Sequence, residues 1–150
     1  MSESAGQAAP RPVSEGDLPP EASAQLAAAY RALDRRLVRL GVECRACGRC
    51  CDFRRNHYRL YACFLERAPI VARHGAPRLS ASGHCGFLVE GRCSIHAWRP
   101  LGCRVFFCAP EHKAREQELY QAFQRRLRAA TDRHGLPWDY QPLFDAARTE

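Results

Sequence analysis

The chain has no stretch approaching the roughly 20 consecutive apolar residues of a helical membrane span. Its first twenty residues, MSESAGQAAPRPVSEGDLPP, hold no apolar core of signal-peptide length, so the expectation is a cytoplasmic protein that meets no membrane. Glycine-rich phosphate loops, a nucleophile elbow and paired carboxylates are missing, so no motif assigns a catalytic group. Cysteine is missing before Cys44 and after Cys108. Acid is scarce between those two, where only Asp52, Glu66 and Glu90 oppose eleven arginines.

Against these absences stand nine cysteines in 150 residues. An odd count cannot pair completely within one chain, and a reducing compartment keeps thiols free. Dense thiols there point to metal. The formal net charge of +7 is concentrated in the cysteine segment, residues 44–108, which carries +8 while the rest carries −1. A basic segment suits nucleic acid, but thiolates offer a second explanation. Four of them around Zn²⁺ or a [4Fe–4S]²⁺ core leave a double negative charge, and nearby arginines offset it and donate to sulfur. Charge compensation is the reading preferred here over nucleic-acid binding.

Residues 1–20 are rich in Ser, Gly, Ala and Pro and read as a disordered tail, with one domain over 21–150. Leu26, Tyr30, Leu33, Leu37 and Leu40 recur at helical spacing from Glu21 to Leu40, and Gly41 supplies the stop. Tyr58–Ala62 reads as extended and Leu65–Arg73 as a short helix interrupted by Pro69 and ended by Gly75. CGFLVEGRC has two apolar runs about Glu90–Gly91, a hairpin that would carry Cys85 and Cys93 near its open end. A last helix runs from about Pro110 to His134, burying Leu119, Phe123, Leu127 and Ala130, with Gly135 and Pro137 beyond it. LPWDYQPLF would dock Trp138, Tyr140, Leu143 and Phe144 back on the two long helices. The expected fold is α+β: a small, mainly helical single domain with a short hairpin and a cysteine-lined metal site.

CRACGRCC places Cys44, Cys47, Cys50 and Cys51 together. A C-x-x-C step lets two sulfurs converge through a tight turn, and C-x-x-C-x-x-C order is typical of a cubane iron–sulfur cluster. Zinc sites more often use separated pairs. The tandem Cys50–Cys51 complicates a single centre, because adjacent side chains diverge; one of them would face a second centre or a bridging position. Cys85, Cys93, Cys103 and Cys108 bring the candidate ligands to eight, enough for two four-coordinate sites. Cys63 lies apart in an apolar stretch and reads as a small buried hydrophobe.

CRACGRCC followed by CGFLVEGRCSIHAWRPLGCRVFF resembles the CxxCxxCC, or YkgJ-type, cysteine-cluster family, over roughly residues 41–110. That family is described as a zinc- or iron-chelating domain. The resemblance implies metal ligation by Cys44, Cys47, Cys50, Cys51, Cys85, Cys93 and Cys103, with His96 at a family Tyr/His position and Arg99–Pro100 as its Arg-Pro pair. Cys108 goes beyond the family pattern; a ligand role is preferred for it.

His84 and His96 flank the downstream cysteines, but eight thiols leave neither needed as a ligand. Asp52 reads as a turn residue and Trp98 as packing. Arg99 and Arg104 are expected to donate to thiolate sulfur, with Pro100 holding Arg99 extended. Two functions follow: an iron–sulfur protein (4Fe–4S type) with a redox or electron-transfer role and a redox or other protein partner, or a zinc module stabilising the fold and offering a basic surface to a partner. A metal-dependent enzyme would need an open coordination position, which sequence does not reveal.

Overall fold

The computed structural model describes residues 18–42, 49–56, 59–106 and 113–144. The expected tail up to residue 17, the Pro110–Glu111 helix start and the sulfurs of Cys44, Cys47 and Cys108 lie outside those residues.

The stripe in the sequence becomes α1, Pro20–Arg39, with Leu26, Tyr30, Leu33 and Leu37 buried and Leu40 at the margin of the core. Proline at its first position costs no hydrogen bond, since that N–H would have no partner. Gly41, at φ 72°, ends it in a Schellman turn: Val42 N donates to Leu37 O and Gly41 N to Val38 O, both at 3.0 Å. Leu18, expected in the tail, is instead buried in the same core.

Among the described residues four further α-helices follow: α2 (Phe53–Asn56), α3 (Phe64–His74), α4 (Leu101–Arg104) and α5 (Lys113–Arg133). The helix α5 buries the four expected residues and Thr131. It closes on Gly135 with the same Schellman pattern, Leu136 N to Thr131 O and Gly135 N to Asp132 O. His134, at its end, hydrogen-bonds Gln25 in the first turns of α1 at 3.0 Å, so the two long helices run antiparallel. They and α3 share one apolar core. Pro69 sits within α3 and removes one N–H from its ladder without ending it.

The expected hairpin forms from β2 (Leu88–Val89) and β3 (Arg92–Cys93), with Leu88 opposite Cys93. Glu90 (φ 52°) and Gly91 (φ 76°) are both left-handed, the two-residue turn that matches strand twist. A second pair was not anticipated. β1 (Tyr61–Ala62) lies antiparallel to β4 (Gln141–Pro142). The C-terminal strap therefore docks by strand pairing, and Leu143 N donates to Leu60 O at 2.7 Å. Its Trp138 and Tyr140 reach the helical core, whereas Leu143 and Phe144 enter a second cluster with the cysteines. The expected docking of all four on the helices is thus corrected.

Among the described residues no helix is long and apolar enough to cross a membrane.

Candidate metal centre

The second apolar cluster gathers segments far apart in sequence around Cys51, Phe53, Ile70, Cys85, Phe87 and Ile95. Cys50, Cys93, Cys103 and Trp98 pack at its edge. Each cysteine has its own local support. A 3₁₀ turn over Arg49–Cys51 carries the tandem pair. Cys51 O accepts from Cys85 N at 2.8 Å, joining the first cysteine group to the downstream one. Gly83, at φ 84°, lets that loop approach α2 so closely that a Cβ there would stand 2.7 Å from the Arg54 Cβ. The hairpin presents Cys93, and α4 presents Cys103.

Five of the eight predicted ligands thus meet: Cys50, Cys51, Cys85, Cys93 and Cys103. Cys51, Cys85, Cys93 and Cys103 are free thiols. Cys51 shares hydrogen bonds with Cys50, Cys85 and Cys93. Cys103 is close enough to feel charge on Cys50 and Cys93. The expected divergence of Cys50 from Cys51 does not occur, because the tight turn leaves their thiols in contact. Among the described residues no three His, Cys, Asp or Glu side chains take up a geometry that would hold a metal ion. What is present is a set of pairwise thiol contacts.

The electrostatics of the patch are uneven. The Cys50 thiol is pushed up first by its hydrogen bond with Cys51 and then by burial, while Arg99 pulls the other way. Burial, before anything else, pushes up Cys103. Cys93 is lowered to about 6, chiefly by its hydrogen bond with Cys51, with the Ile95 N–H and Arg99 helping. Arg99 is 7% exposed, extended ahead of Pro100 as expected, and its Nε donates to His96 O at 2.9 Å. Its positive charge acts on Cys50, Cys93 and Cys103.

Arg104 is different. Its guanidinium donates to both Asp34 carboxylate oxygens at 3.1 Å and to Ala97 O at 2.5 Å, and stacks 3.8 Å over Tyr30. Its Nε goes to Arg99 O. The expectation that it donates to sulfur is replaced by a role binding α1 to the loop before α4.

Glu66 escaped the sequence reading. It is 3% exposed and accepts from Tyr30 Oη (3.1 Å), Cys63 N (3.2 Å) and Leu101 N (2.6 Å). One carboxylate therefore joins α1, the start of α3 and the start of α4, the helix that carries Cys103. The signal was available: Cys63-x-x-Glu66 has the spacing of a capping box, with Cys in place of Ser or Thr. Burial raises the Glu66 pKa. Cys63 itself is fully buried away from the other thiols, as expected.

His84 stands beside Asp52 (3.6 Å) and Ser82 (2.9 Å), and His96 is held toward its neutral form first by burial and then by Arg99 and Arg104. Trp98 packs under Arg73, whose guanidinium lies 4.5 Å from its ring centroid. No family model, curated protein or solved structure matches the chain.

The donor set suits a soft metal. Five sulfurs from four separate segments share one largely buried patch with a buried guanidinium, and thiol–thiol hydrogen bonds are weak partners for them. Thiolates bound to zinc or to iron–sulfur clusters would use those sulfurs fully and would benefit from Arg99.

Proposed function

We propose that this chain is a cytoplasmic metal-binding protein of the YkgJ-type cysteine-cluster kind, holding an iron–sulfur cluster in a redox or electron-transfer role. The observation that carries this reading is the meeting of Cys50, Cys51, Cys85, Cys93 and Cys103 on one patch beside Arg99. Cys44, Cys47 and Cys108 would complete an eight-thiol set. Bound iron would supply one-electron chemistry, and the chain's contribution would be to enclose the sulfurs and offset their charge. The basic balance of the cysteine segment then serves the thiolates and not nucleic acid.

A zinc-binding structural module is the second reading. It is favoured by the contact between the tandem Cys50 and Cys51, which places more sulfurs together than a single four-coordinate centre needs. Anaerobic purification separates the two. An iron–sulfur protein is brown, absorbs broadly in the visible and contains iron; a zinc protein is colourless and contains zinc. Protein from metal-replete anaerobic cells that carries neither metal would overturn both readings.

A further inference from the structure

A cleft of about 280 Å³ opens where β1, α4, α5 and the C-terminal strap meet. From α4 and the residues after it, Gly102, Val105 and Phe106 line it. These positions follow helical spacing, whereas Cys103 belongs to the thiol cluster. A single helical turn therefore separates the cleft from the proposed metal centre. A Cβ at Gly102 would stand 2.5 Å from Leu60 Cδ1, so a larger residue there would have to displace that side chain.

The walls are aromatic and their polar groups converge. Tyr61 and Tyr140 stack with centroids 5.3 Å apart, and Tyr140 hydrogen-bonds Tyr120 through the two hydroxyls. That bond uses one phenolic proton and leaves the other available to an acceptor. Burial, followed by Tyr140, raises the Tyr120 pKa, which keeps this phenol a donor. Of the charged lining groups, Glu116 is paired with Lys113 at 3.0 Å. Arg59 is exposed and forms no ion pair among the described residues. The cleft thus offers flat apolar walls, a guanidinium and a hydroxyl donor.

We propose that this cleft binds a small planar anion, an aromatic carboxylate, with its ring against the tyrosines and its carboxylate on Arg59. Guanidinium–carboxylate pairing and ring stacking are the two recognition terms. This site does not depend on the metal reading.

Benzoate is the probe, titrated into the full-length protein as purified and followed by calorimetry and by the fluorescence of Trp138, which stacks on Tyr140 at 5.8 Å. Saturable binding is expected, weakened on the order of tenfold in Arg59→Gln. That variant alters an exposed side chain, and its circular dichroism should match the parent. Cyclohexanecarboxylate, of equal charge but not planar, should bind more weakly than benzoate. Absence of saturable benzoate binding, or equal affinity in Arg59→Gln, would overturn the proposal, as would equal affinity for cyclohexanecarboxylate.

Discussion

The molecule has two halves built on different physics. In the helical half, α1, α3 and α5 bury Leu26, Leu33, Leu65 and Leu127 almost completely, and the long helices end in Schellman turns. In the cysteine half the strands are two residues long, α2 and α4 have four residues each, and Cys51 and Cys85 are buried among Phe53, Ile70, Phe87 and Ile95. Elements that short are marginal by themselves and depend on what they pack against. The first half is stabilised by burial of area; the second, in the account proposed here, by an inorganic crosslink. Glu66 and Arg104 are polar joints between them.

Removing a proposed ligand should break the contrast most severely. Cys93→Ser takes away a sulfur that touches Cys51, and the expected outcome is loss of bound metal together with ordered structure over residues 79–95. Far-UV circular dichroism should retain most of its helical signal, because α1 and α5 keep their shared core. Metal analysis and dichroism on one sample check both parts.

The opposite perturbation is Leu33→Ala, which empties a fully buried position of the helical core. A cost of about 2–5 kcal/mol is expected in denaturant melts. The folded variant should hold as much metal as the parent.

A smaller effect is expected at the joint. Glu66→Gln places an amide among three hydrogen-bond donors, at a cost of about 1–3 kcal/mol. Its pH dependence is also diagnostic. Because burial raises the carboxyl pKa in the folded chain, the stability linked to this group is present below the ordinary carboxylate pKa. It is lost as pH rises through the raised value. Melts of Glu66→Gln across that range should lack this component of the slope.

The two halves also differ in what their sequence discloses. Periodicity and glycine stops marked α1 and the end of α5 to within a residue or two, since each helix is a long amphipathic stripe. The Glu90–Gly91 hairpin was legible from its turn chemistry. The pairing of Gln141–Pro142 with Tyr61–Ala62 was not, because two-residue strands contain no alternation and proline argues against a strand. In the cysteine half, spacing identified the sulfurs but not their arrangement. Arg104 was misassigned because its partner Asp34 lies seventy residues away on α1. Arg99, ahead of Pro100, acts on Cys50, Cys93 and Cys103 through its charge, while its Nε donates to His96 O.

Hydrogen exchange before and after anaerobic chelation tests the division most directly. The amides of Cys85, Gly86 and Ser94, bonded to Cys51 O, Arg78 O and Phe87 O, should lose protection when metal is withdrawn, while those in the middle of α1 and α5 keep theirs. Unchanged protection at Cys85, Gly86 and Ser94 after complete metal removal would contradict the claim that a metal centre holds the cysteine half together.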